Sequence, residues 1–302
     1  MKRGVKGLLL LFLVVSNISA ESPTFDGEKA FTYLLDQTNM GPRNPGSKGH
    51  QTCIEWLINI GDNWADSVVV QPFTGFNPFG GKGIELINII YRYNPNYPQR
   101  IFLSAHFDTR PIADYDSKDR FSPILGANDG ASGVAVLLHL SELFSNNPPP
   151  VGVDIIFWDG EDLGRQNNLE EFCQGSRFYS QNPIKPVPEK GIVIDMIGDA
   201  DLQIYYELYS LQFAPHMLQE IWTLAKNLGY ADVFIPKPGQ MVYDDHVPLS
   251  LHGIPTIDII DFQYPNASRN YWHTHEDTPD KCSPESLKIV GDVLLTWIFM
   301  QE

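Results

Sequence analysis

The sequence predicts an α/β fold: a single domain with a mixed, mostly parallel central sheet flanked by helices on both faces. Three observations carry this. The apolar runs at 100–106, 153–159 and 191–197 are nearly continuous, as strands buried on both faces require. Segments with helical spacing alternate with them. The 302-residue chain is 43% hydrophobic and contains neither a repeat nor a linker that would divide it.

The elements follow in order. Ala30, Phe31, Tyr33, Leu34 and Leu35 give a helix over 27–37, which the prolines of 41–46 break. Cys53, Ile54, Trp56, Leu57 and Ile60 give a second helix over 47–64. Residues 67–72 form a short strand, the Gly/Pro-rich stretch 74–82 a hairpin or loop, and 85–93 another strand. After strand 100–106 comes a polar, irregular stretch, 108–123. A helix over 134–144 and strand 153–159 follow. Beyond a polar insertion at 167–174, residues 175–181 are helical and 191–197 are a buried strand. A helix over 213–228, a strand over 253–262 and an amphipathic helix over 284–300 close the chain.

Composition narrows the function classes. A formal net charge of −16 excludes nucleic acid and anionic membrane as expected partners, because both require clustered cations. Lys2, Arg3 and Lys6, the apolar run 7–15 and the small residues 16–20 have the layout of a secretory signal. That run is too short to span a bilayer comfortably. Residues 1–20 are therefore expected to be removed, leaving 21–302 as one exported domain, periplasmic or secreted, with no stable membrane insertion. Cys53, Cys173 and Cys282 permit at most one internal bridge, and their spacing matches no zinc-finger pattern. Asn266-Ala267-Ser268 fits a glycosylation acceptor, a pattern frequent by chance.

Ionisable residues gather at strand ends, where open α/β sheets place their function. His106 and Asp108 follow one strand, Asp129 opens the next helix, and Glu161 and Asp162 follow another strand. Asp195 lies in or just after the 191–197 strand, and Trp272, His273 and His275 lie beyond the last. A carboxylate pair directly after a hydrophobic strand is costly to desolvate without a partner, and carboxylates with imidazole but no thiolate suit zinc. Individually some have plainer uses. Asp129 alone would serve as a helix N-cap, and Asp108 as a turn brace. An unpaired Asp195 within a buried strand is harder to explain that way.

The order His106-Phe107-Asp108, Gly126 to Gly133, Glu161-Asp162, Asp195, Asp244-Asp245-His246 and His273-Thr274 resembles the co-catalytic zinc aminopeptidases. Trp158 to Glu161, Gly175 to Arg177, Asp195 to Gly198, Asp244 to Pro248 and Trp272 to Thr274 resemble more closely the glutaminyl-peptide cyclotransferases of the same superfamily. The resemblance runs from about Gly41 to the C-terminus and looks like the bacterial branch. It implies one zinc per chain on Asp129, Asp162 and His273, with Glu161 as general acid/base and Asp195 receiving the substrate amine. Asp244 becomes a further hydrogen-bonding carboxylate, Trp272 a pocket indole, and Asp258 a substrate-side carboxyl facing Asp244. The implied reaction turns the N-terminal glutamine of peptides or proteins into pyroglutamate with release of ammonia.

Three departures stand out. Asp162 replaces the Glu of the animal enzymes, a Trp after the acidic pair is missing from Gly164 to Asn167, and Asp258 replaces a His. A two-zinc aminopeptidase is the competing expectation, with His106 and Asp195 holding a second ion bridged by Asp129. A binding module without chemistry would predict missing ligand residues, and every ligand position here is filled.

Overall fold

The computed structural model describes residues 23–266 and 268–301. The export signal expected at 1–20 lies outside the described residues. The chain runs α1 (Gly27–Asn39), α2 (Lys48–Trp64), β1 (Ser67–Asn77), β2 (Lys82–Tyr93), β3 (Arg100–His106), α3 (Ala131–Asn146), β4 (Gly152–Trp158) and α4 (Gln174–Gln181). It continues with β5 (Lys190–Asp195), β6 (Ile204–Tyr206), α5 (Leu208–Phe213), α6 (Pro215–Asn227), β7 (Phe234–Pro238), α7 (His246–Leu251), β8 (Thr256–Ile260) and α8 (Pro284–Phe299). The main sheet has the order β1-β2-β4-β3-β5-β8, with β4, β3, β5 and β8 mutually parallel and β2 antiparallel to both its neighbours.

Strand parity assigns the two faces. Ile101, Leu103, Val153, Ile155, Phe157, Ile192, Ile194, Ile257 and Ile259 join the larger core with α1, α3, α6 and α8. Phe102, Ile156 and Trp158 point the other way, to Tyr179 of α4, Leu249 of α7 and Ile254. Helix α3 is buried around most of its circumference because it is sandwiched between the sheet and α1 and α8. A Cβ at Gly133 would sit 2.5 Å from the Ile194 carbonyl oxygen, so glycine lets α3 lie close against β5.

Several boundaries depart from the sequence reading. The hairpin or loop expected over 74–82 is a hairpin, with β1 running on to Asn77 and only 78–81 making the turn. Pro72 is tolerated because β1 is an edge strand with one side free of the ladder. The helix expected over 213–228 begins at Pro215, since Ala214 at φ −139° separates it from α5. The 191–197 strand stops at Asp195, where Met196 turns at φ +50°, and the 253–262 strand is confined to Thr256–Ile260. The short pair β6 and β7 and helices α5 and α7 are absent from the sequence reading.

Candidate metal centre and cavity

The carboxyl ends of β3, β4, β5 and β8 converge on one cavity of about 270 Å³. Its walls include Asp129, Glu161, Asp162, Asp195, Asp244, Trp272 and His273, with Tyr115, Leu169, Phe172, Met241 and Phe262 toward the rim. Asp129, Asp162 and His273 each offer a ligand atom within 4.8 Å of the others. His273 Nε2 is 3.2 Å from Asp162 Oδ1 and 3.6 Å from Asp129 Oδ2. All three residues are buried, and Oδ2 of both aspartates finds no hydrogen-bond partner among the described residues. Buried anionic oxygens without donors are too costly to leave alone, so the trio fits a divalent cation.

Each ligand is held from behind. Arg110 donates to Asp162 Oδ1 (3.0 Å) and, through a fork, to Asp114 (2.7 and 2.6 Å). Asp114 Oδ1 in turn faces His273 Nδ1 at 3.3 Å, and a ring proton on that side would leave Nε2 as the free electron pair for a cation. His273 sits at φ +56° and stacks on Trp272 with ring centroids 3.7 Å apart, which fixes the ring plane. Asp277 accepts the Asn128 and Asp129 amides (2.8 and 3.2 Å), and Asp108 accepts those of Glu161 and Asp162 (3.1 and 3.3 Å). These carboxylates lock the two acidic turns at the ends of their elements.

The charges respond to these neighbours. Burial opposes ionisation of Asp162, but the charges of His273 and Arg110 outweigh it and hold the carboxyl below its ordinary value. Burial, then Asp162, pushes Asp129 up, an effect that a cation between them would reverse. Glu161 is pushed well above the ordinary range, chiefly by burial and also by Asp244, Asp162 and Asp245. Its Oε1 receives the Cys173 thiol at 3.3 Å.

His106 and Asp195 also reach the cluster. His106 Nε2 lies 3.2 Å from Asp129 Oδ1 and 3.3 Å from Asp195 Oδ1, while its Nδ1 faces Asp108 at 3.5 Å. Asp244 lines the cavity, but Asp258 does not. Asp258 is fully buried one layer behind, so its expected place beside the substrate gives way to a position behind Asp244. His275 turns outward to the Asp119 carbonyl, and His139 accepts the Asp26 amide at the start of α1. Cys53, Cys173 and Cys282 are all buried free thiols.

Sequence reasoning passed over Arg110, Asp114, Asp277 and Glu207. The first two lie in the polar stretch after β3, where only the folded chain reveals a target. Glu207 carries a faint signal as an acidic cap immediately before α5.

Residues 88–298 match the model of peptidase family M28. The chain belongs to that family. Among solved structures, Bacteroides thetaiotaomicron glutaminyl cyclase bound to N-acetylhistamine is 36% identical, with TM-score 0.88 over 93% of this chain and 100% of that one. Tannerella forsythia glutaminyl cyclase is 34% identical at the same TM-score and coverage. A leucine aminopeptidase precursor from Bacteroides thetaiotaomicron is 37% identical, also at TM-score 0.88, over 93% and 99%. The same framework is thus shared by proteins named for two chemistries.

Proposed function

We propose that this M28 chain is a zinc-dependent glutaminyl-peptide cyclotransferase acting on N-terminal glutamine. The observation that carries the reading is the pairing of a three-ligand cation site with Glu161, a half-buried carboxylate of raised proton affinity, in the same cavity. The likeness to two solved glutaminyl cyclases supports it. Zinc at Asp129, Asp162 and His273 would supply Lewis acidity to the substrate's side-chain amide oxygen.

The chain's own residues do the rest. Asp195 receives the α-amine and aims its lone pair at the amide carbon, so most of the gain comes from positioning. As the new N–C bond forms, Glu161 takes a proton from the amine. It returns that proton to the amide nitrogen, which leaves as ammonia when the old C–N bond breaks. The raised affinity of Glu161 for protons suits both steps near neutral pH. Asp244 accepts a hydrogen bond from the substrate's own N–H, and the Trp272 indole walls the side-chain slot. No water is consumed, so one metal suffices.

The same reading places the mature enzyme outside the cytoplasm, on the strength of the basic, apolar and small-residue layout of 1–20. Among the described residues, no helix is long and apolar enough to cross a membrane.

One observation favours a second reading, a two-zinc aminopeptidase. Asp129 presents Oδ1 to His106 and Oδ2 to His273, the posture of a bridging carboxylate. Against it, the unpartnered buried carboxylate oxygens of these two trios, Asp129 Oδ2 and Asp162 Oδ2, belong to the first. Purified protein incubated with Gln-led and Leu-led dipeptides, with metal content counted, separates them. Ammonia release with about one zinc per chain is expected, whereas leucine release with about two zincs would establish the peptidase.

A further inference from the structure

Behind the cavity wall lies a second buried cluster, formed by Asp244, His246 and Asp258, whose ligand atoms are within 4.8 Å of one another. It stands on the α5/α7 side of the sheet, between the cavity and Glu207. Glu207 is a saturated anion. It accepts the amides of Tyr209 (2.9 Å), Ser210 (2.6 Å) and Val242 (3.0 Å), the Ser210 hydroxyl (2.7 Å) and His246 Nε2 (2.9 Å). Five donors converging on one carboxylate favour its charged form. Since Glu207 is ionised, the Nε2 of His246 must carry a proton.

The other end of the ring is different. His246 Nδ1 faces Asp258 Oδ2 at 3.8 Å, and both oxygens of Asp258 lack a donor among the described residues. The charged groups around Asp258 are mostly acidic: Asp244 and Asp245 before α7, Glu207 before α5, and Asp195 of neighbouring β5. His246 is the basic group facing it. Burial first, and then these carboxylates, push its proton affinity well up. Asp244, by contrast, takes the Asp245 amide on Oδ1 and lines the cavity. Two dry carboxyls this close cannot both ionise, so one proton must stay between them.

We propose that Asp258 is a permanently protonated carboxylic acid in the resting enzyme, and that Glu207, by fixing His246 as a neutral Nε2–H tautomer, keeps it so. Asp258 is then a positioning residue. Its retained proton leaves Asp244 as the anion on the cavity wall, able to accept from a substrate N–H. This assignment of the proton stands on the cluster itself, while its effect on turnover rests on the cyclisation reading.

Two measurements test it on the zinc-loaded protein. In histidine-labelled protein, ¹⁵N NMR should give His246 an unprotonated Nδ1 and a protonated Nε2, identified by the signal that Glu207→Gln perturbs. A doubly protonated His246 would put the negative charge on Asp258 and overturn the proposal. Asp258→Asn, neutral and nearly isosteric, should keep kcat for a Gln-led dipeptide within about threefold of the parent and leave KM unchanged. Loss of about a hundredfold in kcat, in a variant whose melting temperature is preserved, would show that charge on Asp258 is required and would equally overturn it. Inactivity of the parent on every Gln substrate would remove the cyclisation reading alone, because the NMR result decides the proton's place independently.

Discussion

The two walls of the cavity are made of the same residue type and treat it in opposite ways. On the metal side, Asp162 and Asp114 meet Arg110 and His273, and both are held below the ordinary carboxylate range. On the other side, Glu161 and Asp244 in the wall and Asp245 and Asp258 in the layer behind it are crowded together with little positive charge, and all four are pushed up, Asp244 to about 6. Arg110 and His273 keep Asp162 and Asp114 as anions ready for a cation, whereas the other side, short of counter-charge, raises the proton affinity of its carboxyls. Local counter-charge, rather than side-chain identity, thus decides which aspartate can ligate and which glutamate can shuttle a proton.

The largest break in that contrast is Glu161→Gln. It removes the proton shuttle without touching a ligand atom, so turnover should fall about a thousandfold while zinc remains bound. Retained activity in a steady-state assay would take Glu161 out of its role, whereas loss of zinc would mean the two walls are not separable. Arg110→Met attacks the other wall. It leaves Asp162 and Asp114 buried without their guanidinium, and the metal-free protein should lose about 3 kcal/mol in a urea titration. An unchanged midpoint would show that Arg110 is not what keeps those carboxylates charged.

The contrast between the walls also explains what could be read from the chain. Strand ends were legible because buried parallel strands are long apolar runs, so Asp129, Glu161, Asp162 and Asp195 stood out where those runs stop. Their supports were not. Asp277 reaches the Asn128 amide across 149 positions, and Arg110 reaches Asp162 across 52, and no local period encodes such distances. Asp258 shows the limit from the other side. The reading brought it to the substrate because it faces Asp244, but strand parity in β8 turns it into the α5/α7 layer. Elements of three to six residues, such as β6 and α7, were invisible because a single turn or a few extended residues carry too little pattern.

The protonated character extends past the wall to Asp261, just after β8, which gives a pH test away from the metal. Burial pushes Asp261 up to about 7, although the Gln203 and Gln263 amides pull against it. Its folded value is therefore above its unfolded one, and the native state binds the extra proton between about pH 4 and 7. Stability from this group is full below that window and is lost as pH rises through it, by about 4 kcal/mol. Denaturation midpoints for the parent and for Asp261→Asn should converge on a shallower slope in the variant. Identical slopes would deny that Asp261 holds a proton.

The smallest effect is expected at Cys173, and it bears on what raises the proton affinity of Glu161. The thiol approaches Oε1 at 3.3 Å from a fully buried position, and burial together with Glu161 raises its own proton affinity well above the ordinary thiol value. It therefore stays a thiol and acts only as a weak donor, worth less than a neutral hydroxyl. If burial is the main cause of the raised Glu161 value, Cys173→Ala should lower kcat by only about two- to threefold, since the carboxyl remains in the same dry surroundings. If the thiol is instead what orients Glu161, Cys173→Ala should approach the loss seen in Glu161→Gln, and Cys173→Ser should recover most of it. The ratio of those two variants measures how much of the proton-holding wall is solvent exclusion and how much is a single directed contact.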